Sequence, residues 1–199
     1  MLKEIFDLVR GNATETVINN PEVPNELNNE VVAEATNTVA SGLRNVVAGG
    51  GIQSLLSLFG NKGVNKKSLL SNPIVSMMMG HFAGKLMNKF RMNNNQANQL
   101  SGTLIPNVLG SLINKTNDPS DSNFSLEKLL GSITGYKSGV IGDKSSGGIK
   151  LQDLLNQFGG AGASRGDGLM DIIKNLTSGA QQQQQKNGNL MDLIKGFTS

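Results

Sequence analysis

The stretch NELNNEVVAEATNTVASGLRNVVAGGG, residues 25–51, decides the fold class. Leu27, Val31, Ala35, Val39, Leu43 and Val46 follow one another at steps of three or four. That spacing places them on one stripe of a helix, not on alternate faces of a strand. Pro21 and Pro24 precede the run. The triplet Gly49, Gly50 and Gly51 stops it, because glycine weakens a helix and readily takes the left-handed conformation that closes one. The stripe predicts a helix between Pro24 and Gly49, the longest in the chain.

The same stripe recurs on both sides. Leu2, Ile5, Phe6 and Val9 predict a short amphipathic helix over residues 1–10, and Ile52, Leu55, Leu56 and Phe59 another before Gly60. A helix opening near Pro73 carries Val75, Met78, Phe82 and Leu86. Ala97, Leu100, Leu104, Val108, Leu109 and Leu112 keep helical spacing around Pro106, which must either kink one helix or open a second. Residues 116–123 are turn chemistry, after which Phe124 and Ser125 start a helix with Leu126, Leu129, Leu130 and Ile133. The core inventory fits this pattern: the chain has no Trp, one Tyr and seven Phe, so packing rests on aliphatic side chains that favour helices. An all-α fold follows, with a compact multi-helix N-terminal domain over residues 1–134.

Composition changes at residue 135. Thirteen of the 25 glycines lie in residues 135–199, with serine-rich stretches and the tract Gln181 to Gln185. This reads as a flexible Gly/Ser/Gln-rich tail with short amphipathic segments at 149–158, 168–178 and 189–198. Their anchors are Leu151, Leu154, Leu155 and Phe158; Leu169, Ile172, Ile173 and Leu176; and Leu190, Leu193, Ile194 and Phe197. The last two segments are near copies: LMDIIKNLTS (169–178) aligns without a gap on LMDLIKGFTS (190–199). About ten residues cannot hold a helix alone in water, so each segment must dock its apolar face on something.

Charge is segregated. Residues 1–58 hold three basic and seven acidic side chains, whereas residues 59–117 hold no acid and seven bases: Lys62, Lys66, Lys67, Lys85, Lys89, Arg91 and Lys115. The rest of the chain balances eight of each. The complementary blocks either face each other in the fold or leave a basic patch for an anionic partner. Nucleic acid is a poor fit, because seven cations come without an aromatic stacking platform and the neighbouring polar residues are largely Asn, which neutralise no phosphate.

No residue set for catalysis stands out. His81 is the only histidine and there is no cysteine, which removes disulfides, thiol nucleophiles and multi-histidine metal sites. Met77, Met78 and Met79 beside His81 hold soft ligands, but Met at helical spacing is ordinarily core packing. Gly142-Asp143-Lys144-Ser145 lacks the glycine spacing of a phosphate loop, and Asp118 to Glu127 lacks the glycine and bidentate glutamate of a calcium loop. Arg165-Gly166-Asp167 lies in a Gly/Ser stretch and is read as chance. No catalytic, cofactor or metal site is expected. Lys3, Glu4, Asp7 and Arg10 interrupt the first ten residues, unlike a secretory leader, so a cytoplasmic protein is expected. The longest uncharged stretch, Ser68 to Gly84, falls short of the roughly 20 apolar residues of a membrane span.

Three stretches carry a family resemblance: LKEIFDLVRGNATETVINNPEVPNELNNEVV (2–32), SNPIVSMMMGHFAGKLMNKF (71–90) and LSGTLIPNVLGSLINKTNDPSDSNF (100–124). Together they resemble the bacterial domain of unknown function family 937 over roughly residues 1–135. The resemblance implies an all-α bacterial protein and carries no activity across; the Gln tract and the duplicated segment depart from the usual tail. The expected function is a non-enzymatic structural or interaction protein whose partner is itself, through tail segments docking on its own helical domain or on other copies. Peripheral membrane attachment or nucleic-acid association is the alternative. Against strong lipid attraction, each duplicated segment balances one Asp with one Lys.

Overall fold

The computed structural model describes residues 2–21, 23–60, 65–118, 120–121, 124–135, 167–185 and 190–198; for 167–170 and 172 it describes the backbone. All regular structure among them is helical. The α-helices are α1 (Leu2–Ala13), α2 (Asn28–Ala48), α3 (Ile52–Gly60), α4 (Lys66–Leu70), α5 (Pro73–Phe90), α6 (Asn94–Thr116), α7 (Leu126–Thr134), α8 (Asp167–Gln185) and α9 (Leu190–Lys195). The chain divides into two compact units. One, the α1 unit, gathers Leu2–Gly42, Gly63–Asn114 and Gly188–Ser199; the other, the α7 unit, gathers Leu43–Lys62 and Lys115–Asn187.

In the α1 unit, α1 buries Ile5, Phe6, Val9 and Ala13 on its predicted face and runs directly into a π-helical turn, Thr14–Ile18. Residues Val31 to Thr36 of α2 are buried without interruption, so this helix is covered all round and not along one stripe. Small Ala and Thr between the larger residues allow neighbours to approach on every side. Gly42 shows how close: a Cβ there would stand 2.8 Å from the side chain of Met78 on α5. Met78 is 1% exposed and is core.

Local capping explains the boundaries. Asn72 Oδ1 accepts from the Ile74 N–H at 2.9 Å with Pro73 at the first helical position, and α5 ends on Arg91 in the left-handed region at φ 56°. Asn93 Oδ1 accepts from Gln96 N–H while Gln96 Oε1 accepts from Asn93 N–H, a reciprocal cap that opens α6. With 23 residues α6 exceeds the 21 of α2, which corrects the expectation that α2 is the longest. Pro106 lies buried inside α6, so a single helix carries it. The proline forfeits one backbone hydrogen bond, and apolar burial along Leu100, Leu104, Val108 and Leu112 offsets the loss.

The α7 unit begins with the last turn of α2 and turns at Gly50, whose φ of 81° suits glycine. Ile52, Leu55, Leu56, Leu58 and Phe59 of α3 are buried, and the Asn117 side chain donates to the Phe59 carbonyl at 2.7 Å. Ser125 caps α7 by accepting from the Lys128 N–H at 3.1 Å. Leu126, Leu129, Leu130 and Ile133 then face the core, and Gly135 closes the helix at φ 72°.

Candidate functional site

The first copy of the duplicated segment is helical throughout and the second from Leu190 to Lys195, and each helix packs on a helix of its own unit. In the α7 unit, α8 packs along α7. It extends through the Gln tract to Gln185, where a linker was expected. Leu176 is 1% and Ala180 0% exposed, while Ile173 is half-buried. Gly179 makes the close approach possible, since a Cβ there would lie 2.6 Å from the Thr134 carbonyl oxygen. The Gln tract reaches the last turn of α2: Gln181 Nε2 donates to the Ala48 carbonyl at 3.0 Å, and Gln184 Nε2 donates to Asn45 Oδ1 at 2.7 Å. Carboxamides suit a helix end, because the last carbonyls of α2 have no partner within it.

In the α1 unit, α9 packs on α1. Leu190 and Ile194, four residues apart on one face, are 8% and 0% exposed. Phe197 follows α9 and meets Phe6 with ring centroids 5.8 Å apart at 54°, a tilted aromatic pair worth about 1 kcal/mol beyond its area. Leu193, expected among the anchors, is 58% exposed in this arrangement and takes no part in the contact with α1 that buries Ile194. It sits about 100° round the helix from Ile194, and a six-residue helix resting on one neighbour covers only one such face. The equivalent positions therefore play similar parts: Ile173 with Ile194, and Leu176 with Phe197, each contribute to their dock. The backbone at Leu169 and Ile172 belongs to α8; their side chains, together with Leu151, Leu154, Leu155 and Phe158, lie outside the described residues.

No family model, no curated protein and no solved structure matches this chain.

The described residues of the basic block divide between the two units. Lys89 Nζ lies 3.1 Å from Glu34 and 4.0 Å from Glu30 on α2, so acidic and basic blocks meet inside the α1 unit. Its ammonium also stands 5.1 Å from the Phe90 ring centroid. Glu34 is buried, and its Oε1 has no partner among the described residues. Lys115 belongs to the α7 unit, where it pairs with Asp121 at 3.1 Å and caps the Phe124 ring at 5.1 Å. Lys66, Lys67, Lys85 and Arg91 are exposed and make no ion pair with a described residue; Lys62 lies outside the described residues.

Sequence periodicity gave no hint of a polar cleft of about 400 Å³ in the α1 unit, between the π turn and the first half of α6. Glu15, Thr16, Asn20, Gln96, Gln99 and Thr103 supply its polar lining. Several of these groups are already committed. Thr16 Oγ1 donates to Asn12 O, Asn20 Nδ2 to Thr16 O, and Asn19 Nδ2 to Glu15. Gln96 Oε1 closes the α6 cap. The cleft is accordingly the by-product of ending α1 and starting α6 with side-chain hydrogen bonds. Among the described residues no cluster of three or more His, Cys, Asp or Glu could hold a metal, and no helix is long and apolar enough to cross a membrane.

Proposed function

We propose that this is a non-enzymatic structural or interaction protein whose tail helices are docking modules for its own helical units, within a chain or between copies. The observation that supports the reading most is that each copy of one ten-residue motif contributes a helix with buried apolar residues, one in each of two different units. A motif that fits two distinct helical surfaces is a reusable contact, and linking it to its receptor raises its effective concentration there. The family resemblance, itself a proposal, is compatible with this and adds no activity.

A binding experiment tests the reading. The receptor is the full chain carrying Ile194→Asp, which vacates its own α1 face, and the probe is a fluorescent peptide of residues 188–199. Saturable binding is expected, together with its loss when the peptide itself carries Ile194→Asp. Absence of saturable binding overturns the reading.

One observation favours a second reading, attachment to an anionic membrane surface. Lys66 and Lys67 on α4 are exposed near Leu70 and, on the adjoining α5, Met77, which are 40% and 49% exposed. Cations flanking exposed apolar groups suit an anionic interface. Flotation with vesicles containing phosphatidylserine, lost on Lys66→Glu with Lys67→Glu, would favour that reading over the first.

A further inference from the structure

We infer that the two copies of the motif are unequal, with α8 a fixed part of its unit and α9 the exchangeable one, and that the α1 face accepts α9 from a second copy of this chain. This rests on the docking reading above and deepens it by naming the mobile copy and its partner.

The inequality is visible residue by residue. Helix α8 has 19 residues, long enough to contribute helical stability of its own, and α9 has six. Polar contacts fix α8 in register: Gln181 and Gln184 hydrogen-bond to Ala48 and Asn45, and the Gly179 backbone lies against the Thr134 carbonyl. Such contacts are directional and are lost together when the helix shifts. The dock of α9 is apolar, made by Leu190, Ile194 and the Phe197–Phe6 pair. The side-chain hydrogen bond near its end is local, from Thr198 Oγ1 to the Lys195 carbonyl. Apolar burial is non-directional, so an identical helix from another molecule satisfies the same face equally well.

The occupant is a second copy because the motif already docks on this chain's own helices. Its sequence recognises helices of this fold twice within one chain, and α9 balances Asp192 against Lys195, so two like chains meet without charge repulsion through it. An exchanged α9 also carries Leu193, 58% exposed in the closed arrangement, to a junction where two chains can cover it. Swapping an element between protomers costs little, since every contact of the closed form is remade in the open one.

The absence of cysteine makes the test clean. Full chains carrying Phe6→Cys alone and Phe197→Cys alone are mixed near millimolar concentration, about where exchange competes with docking in the same chain, and treated with a short bis-maleimide crosslinker that spans the gap left by the truncated side chains. A parallel mixture uses Asn45→Cys and Gln184→Cys, which report on α8. Same-chain doubles, Phe6→Cys with Phe197→Cys and Asn45→Cys with Gln184→Cys, report docking itself. The expected result is a crosslinked pair of chains from the 6/197 mixture, about tenfold more than from the 45/184 mixture. Both same-chain doubles crosslink internally. Failure of the 6/197 mixture while its same-chain double crosslinks overturns the exchange and leaves docking standing. Equal intermolecular yields overturn the inequality. Failure of both same-chain doubles overturns the docking reading on which the inference rests.

Discussion

At Gly179 the difference between a hydrogen and a methyl group decides whether α8 can lie against α7, because a Cβ would stand 2.6 Å from the Thr134 carbonyl oxygen. Gly179→Ala is expected to cost about 1–3 kcal/mol by overpacking against backbone that cannot move aside. Gly102→Ala on α6 meets nothing within 4 Å and should be neutral or stabilise by about 0.5–1 kcal/mol. Denaturant midpoints of the two variants check the contrast. Asp118 provides the pH prediction. The Ser120 hydroxyl and backbone N–H both donate to its carboxylate, at 2.6 and 2.9 Å, and hold its pKa below the ordinary 3.8. A depressed folded-state pKa means that its stabilising effect is present above 3.8 and fades as pH falls through the folded value. An NMR titration should therefore place the Asp118 midpoint below that of Ser120→Ala. Charged residues are where the sequence is least legible. Arg44 is buried and donates from Nε to the Ile133 carbonyl at 3.0 Å, and burial pushes its guanidinium pKa down. Glu34 is likewise buried against Lys89. Periodicity assigns both to a polar side of a stripe, and only the tertiary partner reverses that.

The helices themselves were largely legible, since α1, α3, α5 and α7 fall on their predicted stripes. Stripe, cap and stop agree at each of them, as at Asn72-Pro73 and Ser125. Misreadings arise where one local rule is outweighed by packing. Pro106 does not divide α6, and the Gln tract continues α8 where composition suggested a linker. Glutamine is a good helix former, and the tract gains partners at Asn45 and Ala48 that no local window contains. The same limit applies to α9. Leu193 and Ile194 are adjacent and equally apolar in a stripe, yet one is 58% and the other 0% exposed. Ile194→Asp should destabilise the α1 unit by roughly 2–5 kcal/mol, whereas Leu193→Asp should stay within about 0.5 kcal/mol in the monomer at low concentration. Thermal unfolding of the two variants side by side separates them.

For the whole molecule, chain order is a poor guide to which residues share a core. The α1 unit takes residues from the beginning, middle and end of the chain, and the α7 unit takes the segments between. Local patterns carry no information on such pairings, which depend on contacts between residues far apart in the chain, as with Ser111 to Asn12, 99 residues apart, and Gln181 to Ala48, 133 apart. What the sequence did disclose was the duplication, and with it the requirement that each copy find an apolar surface. The direct test of that account is hydrogen exchange on the full chain with Leu176→Asp and Ile194→Asp made separately. Loss of protection is predicted in residues 126–134 for the first variant and in residues 2–13 for the second, each sparing the other helix. Unchanged exchange in both, or one identical diffuse loss from either substitution, would contradict the claim that each copy of the motif serves its own helical surface.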